Sequence, residues 1–261
     1  MKKTLLFIAL LSFLCTNAGA WGREGHEVAA KVAENHLQAS AKKKIEKYLG
    51  GHSIVYYAKW MDDYRRTPEF AFTNDWHIVY LDDKLQYNPT PSKPANGDCI
   101  YGIEGAIDVL KNYKQYNDSI VALNIKYIIH MVADMHCPAH IKYEGRNQDH
   151  FVTFTDYYKK KKKLKIHFVW DAAAIQETRI FSSTEWAHDI DIYSKKEIKE
   201  FCKGTPREWL HSNAVRCLKQ FDMAYPDAQI GQDFLNEAMP FIEEQLAIAG
   251  YRMAHLLNEL F

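Results

Sequence analysis

The sequence predicts an all-α domain that carries one small β-hairpin. Apolar residues recur at three- and four-residue spacing through most of the chain, as in helices with one buried face. Only residues 150–169 are enriched instead in aromatic and β-branched residues around a polar centre. The 261 residues are 47% apolar and 25% charged, enough for a sizeable core and unlike a disordered or collagen-like chain. No repeat, linker or domain boundary interrupts the pattern.

Residues 1–20 are expected to be removed. Lys2 and Lys3 precede the apolar run from Leu5 to Leu14, and Ala18-Gly19-Ala20 follows as a small-residue cleavage site. This is a secretory signal, too short for a membrane span. Residues 21–261 then form a single domain beginning at Trp21, secreted or periplasmic. No other segment is apolar for long enough to cross a bilayer.

The first expected helix is Glu24–Leu37, with the stripe Val28, Ala29, Val32, Ala33 and Leu37. Ala41–Leu49 follows and stops at Gly50-Gly51. Ile54–Arg65 and Tyr101–Tyr116 are the third and fourth. Asn117 or Asp118 caps a fifth that runs to about Met135. Asp171–Phe181, Lys195–Cys202, Pro206–Tyr225 and Gln232–Leu260 complete the set, with Pro240 expected to kink or divide the last. In the hairpin, His150–Val169, the five lysines at 159–163 form a solvated tip. Thr67–Gly97 holds four of the eight prolines and reads as a long functional loop.

Lysine plus arginine equals aspartate plus glutamate at 33 each, which leaves no electrostatic footprint of a duplex binder. Export makes disulfides possible. Cys99, Cys137, Cys202 and Cys217 allow three pairings. The favoured ones are Cys202–Cys217 and Cys99–Cys137, with buried free thiols as the alternative.

The unusual figure is the histidine count, 12. His130-Met-Val-Ala-Asp134-Met-His136-Cys-Pro-Ala-His140 puts His130 and Asp134 on one helix face. Pro138 ends that helix and lets His140 turn back, while His136 points elsewhere in a supporting role. Imidazole with carboxylate suits zinc. His167-Phe-Val-Trp-Asp171 repeats the i,i+4 spacing. Trp60-Met-Asp62-Asp63-Tyr-Arg65, Asp75-Trp76-His77 and Trp21-Gly-Arg-Glu-Gly-His26 add further donors. A free amine at Trp21 would chelate with its own carbonyl. Five such pieces in one secreted domain point to a polynuclear zinc site.

These pieces, in this order, resemble the secreted zinc-dependent single-strand nucleases and 3′-nucleotidases of fungi and plants. Ala249-Gly-Tyr-Arg-Met-Ala-His-Leu-Leu-Asn258 is similar to that family's last helix. The resemblance implies the helical fold shared with secreted zinc phospholipases C. Those enzymes carry a Glu where this chain has Asp171, and space the first histidine further from the terminal Trp. The resemblance implies three zinc ions. Asp62, His77, His130 and Asp134 would hold the first; His140, His167 and Asp171 the second; Trp21 and His26 the third, with Asp134 bridging. It further implies attack by metal-activated hydroxide, with Asp62 orienting it and Arg65 stabilising the phosphoryl oxygens. The expected activity is endonucleolytic cleavage of single-stranded RNA and DNA to 5′-phosphorylated products, with 3′-nucleotidase activity, by a monomer without duplex-specific DNA binding.

The substrate pocket departs from the family's pattern. Ile78 and Tyr80 stand where the family has an aromatic residue and an Asp, and Asp82 is two residues beyond the latter place. Gly145-Arg146-Asn147 replaces Gly-Gly-Asn. Asn147 can bond a base, and Arg146 either blocks the pocket or grips a phosphate. A zinc phosphodiesterase or phospholipase C on another phosphoester is therefore one alternative, and a non-catalytic zinc-binding protein is another.

Overall fold

The computed structural model describes residues 21–87, 95–178 and 181–261. The expected leader lies outside the described residues, as do positions 88–94 of the long loop and 179–180 of the expected helix 171–181.

Twelve α-helices are formed among the described residues. They are α1 (Arg23–His36), α2 (Ala39–Tyr48), α3 (Trp60–Tyr64), α4 (Cys99–Lys111), α5 (Asp118–Asp134), α6 (Ile166–Phe168), α7 (Ala174–Thr178), α8 (Ser183–Ile190), α9 (Lys195–Phe201), α10 (Pro206–Cys217), α11 (Gln220–Met223) and α12 (Gln232–Leu260). The chain is mainly helical, as predicted. Asn117 caps α5 by accepting the Ile120 N–H at 2.9 Å. α1 buries its Val28, Ala29, Val32 and Ala33 stripe and packs on α12, α8 and α5. Gly250 permits the closest approach, because a Cβ there would lie 2.5 Å from Val32 Cβ. α12 remains one 29-residue helix with Pro240 inside it, undivided.

Several boundaries differ from the sequence reading. The expected helix Ile54–Arg65 is a 3₁₀ turn, Val55–Tyr57, followed by α3. The break frees the Ala58 carbonyl, which faces His130 Nδ1 at 2.8 Å. Tyr101–Tyr116 starts earlier, at Cys99, because the Asp98 carboxylate accepts the Tyr101 N–H at 3.1 Å. Pro206–Tyr225 divides into α10 and α11. α8 was not anticipated, although Ser182 and Glu185 form a reciprocal capping box at its start.

The hairpin consists of β3 (Phe151–Thr155) and β4 (Lys161–Lys165), antiparallel, with Phe151 opposite Lys165. The lysine run is therefore mostly strand and not tip. The segment carrying His167 is helical: α6 passes into a π-helical turn, Val169–Ala173, and then α7. A short strand, β5 (Gln229–Ile230), pairs parallel to β3. The remaining pair is β1 (Val79–Leu81) with β2 (Ile141–Tyr143), parallel, with Val79 opposite Ile141. This splint begins two residues after His77 and one after His140, and holds those segments side by side.

The favoured disulfides are not made. Cys99, Cys137, Cys202 and Cys217 are all free and buried. The Cys99 thiol donates to the Met131 carbonyl at 3.3 Å, and Cys217 Sγ accepts from Gln245 Nε2 at 3.6 Å. Each of these two sulfurs finds its polar partner on a packed helix instead of on a second thiol.

Candidate metal centre and active site

The C-terminal end of α5 gathers the predicted donors. His130 and Asp134 sit one turn apart, with Nε2 3.3 Å from Oδ2. Asp134 is the hub. Its Oδ2 is 3.0 Å from His77 Nδ1, and its Oδ1 is 3.3 Å from His26 Nε2 and 3.4 Å from His140 Nδ1. The His26 and His130 rings stack at 3.9 Å. Asp62, brought in by α3, stands 3.9 Å from His77 Nδ1 and 3.4 Å from Arg65 Nη2. His140 Nε2 lies 3.6 Å from Asp171 on the π-helical turn. The His167 ring packs against His140, centroids 5.0 Å apart.

Trp21 is fully buried beside these groups. Its indole N–H donates to the Ala133 carbonyl at 2.9 Å, and the Gly22 N–H donates to the Asp171 carbonyl at 2.7 Å. The start of the expected mature chain is thus tied to both α5 and the π-helical turn. Gly25 keeps the approach open, since a Cβ there would lie 3.2 Å from Trp21 Cβ.

Burial here is not compensated by hydrogen bonds. His26 Nδ1 and Nε2, Asp62 Oδ1, His77 Nε2, Asp134 Oδ1, His140 Nδ1 and Nε2, and Asp171 Oδ1 are all buried without a hydrogen-bond partner. Each such atom costs about 1–3 kcal/mol. Concentrated in one place, they are donors set out for cations. Three groups have donor atoms within 4.8 Å of one another: His26, His130 and Asp134; Asp62, His77 and His130; and Cys137, His140 and Asp171. The residues present therefore fit metal ions.

The protonation equilibria agree with that fit. Burial lowers His26 and brings His77 down to about 4, so both rings are neutral at neutral pH, as metal ligation requires. Burial opposes ionisation of Asp134, but His130, His140 and His26 together hold it well below the usual carboxylate range. Burial also opposes charge on His130, yet Asp134 and Asp62 raise it. Asp171 is pushed well above the usual range by burial and by the charges of Asp134 and Asp62. A bound cation reverses that penalty, because it is the largest local charge.

A cleft of about 300 Å³ opens onto the cluster. Asp62, Arg65 and Asp171 line it together with Arg23, Lys59 and Arg66. Sequence reasoning named only Arg65 of these cations. A second cleft of about 440 Å³ collects Tyr80, Lys142, Arg146 and Asn147. Arg146 lies over the Phe221 ring, 4.9 Å from its centroid, and Asn147 Oδ1 accepts the Asp149 N–H at 3.2 Å. Ile78 sits between His77 and β1, and its carbonyl accepts the Cys99 N–H at 3.0 Å. His136 points away from the donors. Its Nδ1 faces the Val132 carbonyl at 2.7 Å and its Nε2 accepts from Arg252 at 2.9 Å. Cys137 is the donor that the sequence reading missed, because it was paired there with Cys99.

A helical domain closed over buried imidazoles and carboxylates, with a cationic mouth, has the build of a metal-dependent hydrolase. The S1/P1 Nuclease family model matches residues 21–261, and the chain belongs to the S1/P1 nuclease family. It is 25% identical over 278 residues to nuclease S1 of Aspergillus oryzae, covering 91% of each chain. It is 25% identical over 268 residues to nuclease P1 of Penicillium citrinum, covering 92% of this chain and 97% of that one. With endonuclease 4 of Arabidopsis thaliana it shares 23% identity over 284 residues, 97% of this chain and 93% of that one. The chain is thus a hydrolase of phosphodiester bonds with nucleic acid as its substrate class. Among the described residues, no helix is long and apolar enough to cross a membrane.

Proposed function

We propose that the chain is an exported zinc-dependent endonuclease. It cleaves single-stranded RNA and DNA to 5′-phosphorylated products and also acts as a 3′-nucleotidase. The observation that carries this reading is the set of buried donor atoms around Asp134 that make no hydrogen bond. Asp62, His77, His130 and Asp134 would hold one zinc, and His140, His167 and Asp171 a second. Trp21, through its amine and carbonyl, and His26 would hold a third, with Asp134 shared. When bound, the ions supply a nucleophile at neutral pH and neutralise charge on the phosphoryl and leaving oxygens.

The chain's own groups do the rest. Arg65 lies 3.4 Å from Asp62 and lines the cleft, where its guanidinium charge would stabilise phosphoryl oxygens. Asp62 lies beside both His77 and Arg65, which supports the reading that its carboxylate orients the attacking oxygen. Arg23, Lys59 and Arg66 draw the polyanion to the mouth. Tyr80 and Asn147 share a cleft wide enough for a nucleoside, with Tyr80 offering a stacking face. Arg146, resting on Phe221, is placed to grip a flanking phosphate. The cations that line the cleft suit capture of a flexible strand at its phosphates.

Cleavage after Ala20 creates the amine that the third zinc needs. One extra residue before Trp21 should lower the zinc content by one ion and reduce turnover sharply; full zinc and full activity would contradict the amine ligand. The substrate class is tested on single-stranded RNA, single-stranded DNA, a 3′-nucleotide and a phosphocholine lipid. Chelator-sensitive hydrolysis of the first three is expected. Hydrolysis of the lipid alone would move the site to another phosphoester, and bound zinc with no turnover would make the chain a metal-binding protein.

A further inference from the structure

The segment Cys137-Pro138-Ala139-His140 carries a donor that the three ligand sets above leave out. Cys137 immediately precedes the 3₁₀ turn Pro138–His140. A 3₁₀ turn closes in three residues, so side chains three apart eclipse one another. Cys137 and His140 therefore share one side of the turn. The turn is fixed by the His140 N–H donating to the Cys137 carbonyl at 3.0 Å.

The sulfur lies together with a ring nitrogen of His140 and a carboxylate oxygen of Asp171, all within 4.8 Å of one another. His140 Nε2 and Asp171 Oδ1 are buried without a hydrogen-bond partner. Cys137 is itself fully buried and makes no disulfide. A buried sulfur beside two unpartnered buried donors is arranged as a ligand set.

We propose that Cys137 is a protein ligand of the second metal ion, beside His140 and Asp171, with His167 at the edge of the same set. This rests on the reading of His140 and Asp171 as metal ligands. Binding breaks the S–H bond, forms the sulfur–metal bond and releases the proton to solvent. One thiolate and one carboxylate then balance the two charges of the ion. Sulfur selects zinc, cobalt or cadmium over magnesium, manganese and calcium, so this position discriminates among metals in a way the other two do not.

The test is cobalt(II) substitution of the mature protein, read by absorption. Visible ligand-field bands report bound cobalt, and a near-ultraviolet sulfur-to-cobalt charge-transfer band reports a thiolate ligand. Both are expected in the unmodified protein. In Cys137→Ser the charge-transfer band should vanish while ligand-field bands from the other sites persist, and the second ion should bind at least about tenfold more weakly. Cys217→Ser should keep the charge-transfer band. Ligand-field bands without charge transfer in the unmodified protein would overturn the Cys137 assignment and leave the His and Asp ligands standing. Failure to bind cobalt at all would overturn both. Because the decisive spectrum comes from the unmodified protein, poor folding of Cys137→Ser does not blunt it.

Discussion

Two buried histidine environments adjoin the end of α5, and they differ in what completes them. At His136 both ring nitrogens have protein partners, the Val132 carbonyl and Arg252. Arg252 is in turn bound by Asn213 at 2.9 Å, Ser212 at 3.0 Å and the Phe201 carbonyl at 2.8 Å. That cluster is closed by the chain itself. Around Asp134, His26 and His140 keep both ring nitrogens without a hydrogen bond at the same depth of burial. Two histidines of one short motif thus have different jobs, and the hydrogen-bond inventory separates them. A closed cluster fastens helices together, whereas an open one is built for a ligand.

This contrast breaks most visibly at Asp134. Asp134→Ala should lose more than one zinc per chain and reduce turnover by well over about a hundredfold, since supporting residues alone cost 10–100-fold. His130→Ala should behave similarly at the first zinc; metal analysis with single-strand hydrolysis checks both, and retained activity would sink the ligand assignment. Next in size, Arg65→Ala should lower kcat by about a hundredfold or more with zinc content unchanged. Steady-state kinetics beside metal analysis separate that outcome from a lost ligand.

Arg252→Met probes the closed cluster. It leaves His136 Nε2 and Asn213 Oδ1 without their donor, and should cost about 3 kcal/mol in urea unfolding with zinc content retained. Loss of zinc with stability intact would reverse the roles assigned to the two clusters. The smallest expected effect comes from pH on the metal-free protein. His77 is depressed to about 4, and burial also lowers His26 and His136 from 6.5. At these three rings the unfolded chain binds more protons between those limits, so their contribution to stability rises with pH there and falls as pH drops from 6.5 through 4. His77 alone contributes roughly 3 kcal/mol to that loss. His130, raised above 6.5, and Asp171, pushed well above the usual carboxylate range, act in the opposite sense, since the folded chain holds their protons more tightly than the unfolded one. Thermal unfolding of the chelated protein across this range shows whether the three lowered rings outweigh His130 and Asp171.

Much of the centre was legible because its chemistry is local. His130 and Asp134 announce a shared face by spacing alone, and Pro138 announces the turn that brings His140 back. The helical stripes of α1 and α5 were equally plain. What escaped depends on long-range partners. β1 and β2 are three residues each, too short for a periodic signal, and pair across 62 positions of sequence, Val79 with Ile141. The break at Ala58 leaves its carbonyl facing His130, 72 residues away in sequence. The cysteines were misread because even numbers and export suggest pairing, while burial of a thiol leaves no trace in sequence. α8 did leave one, the Ser182 and Glu185 capping box, which the reading passed over.

The central claim is that the open cluster around Asp134 is a zinc site that hydrolyses phosphodiesters. The direct measurement is zinc per chain on protein with a verified Trp21 N-terminus, together with hydrolysis of single-stranded RNA and DNA with and without chelator. About three zinc ions and chelator-sensitive release of 5′-phosphorylated products are predicted. Full hydrolysis by thoroughly chelated, zinc-free protein would contradict the account.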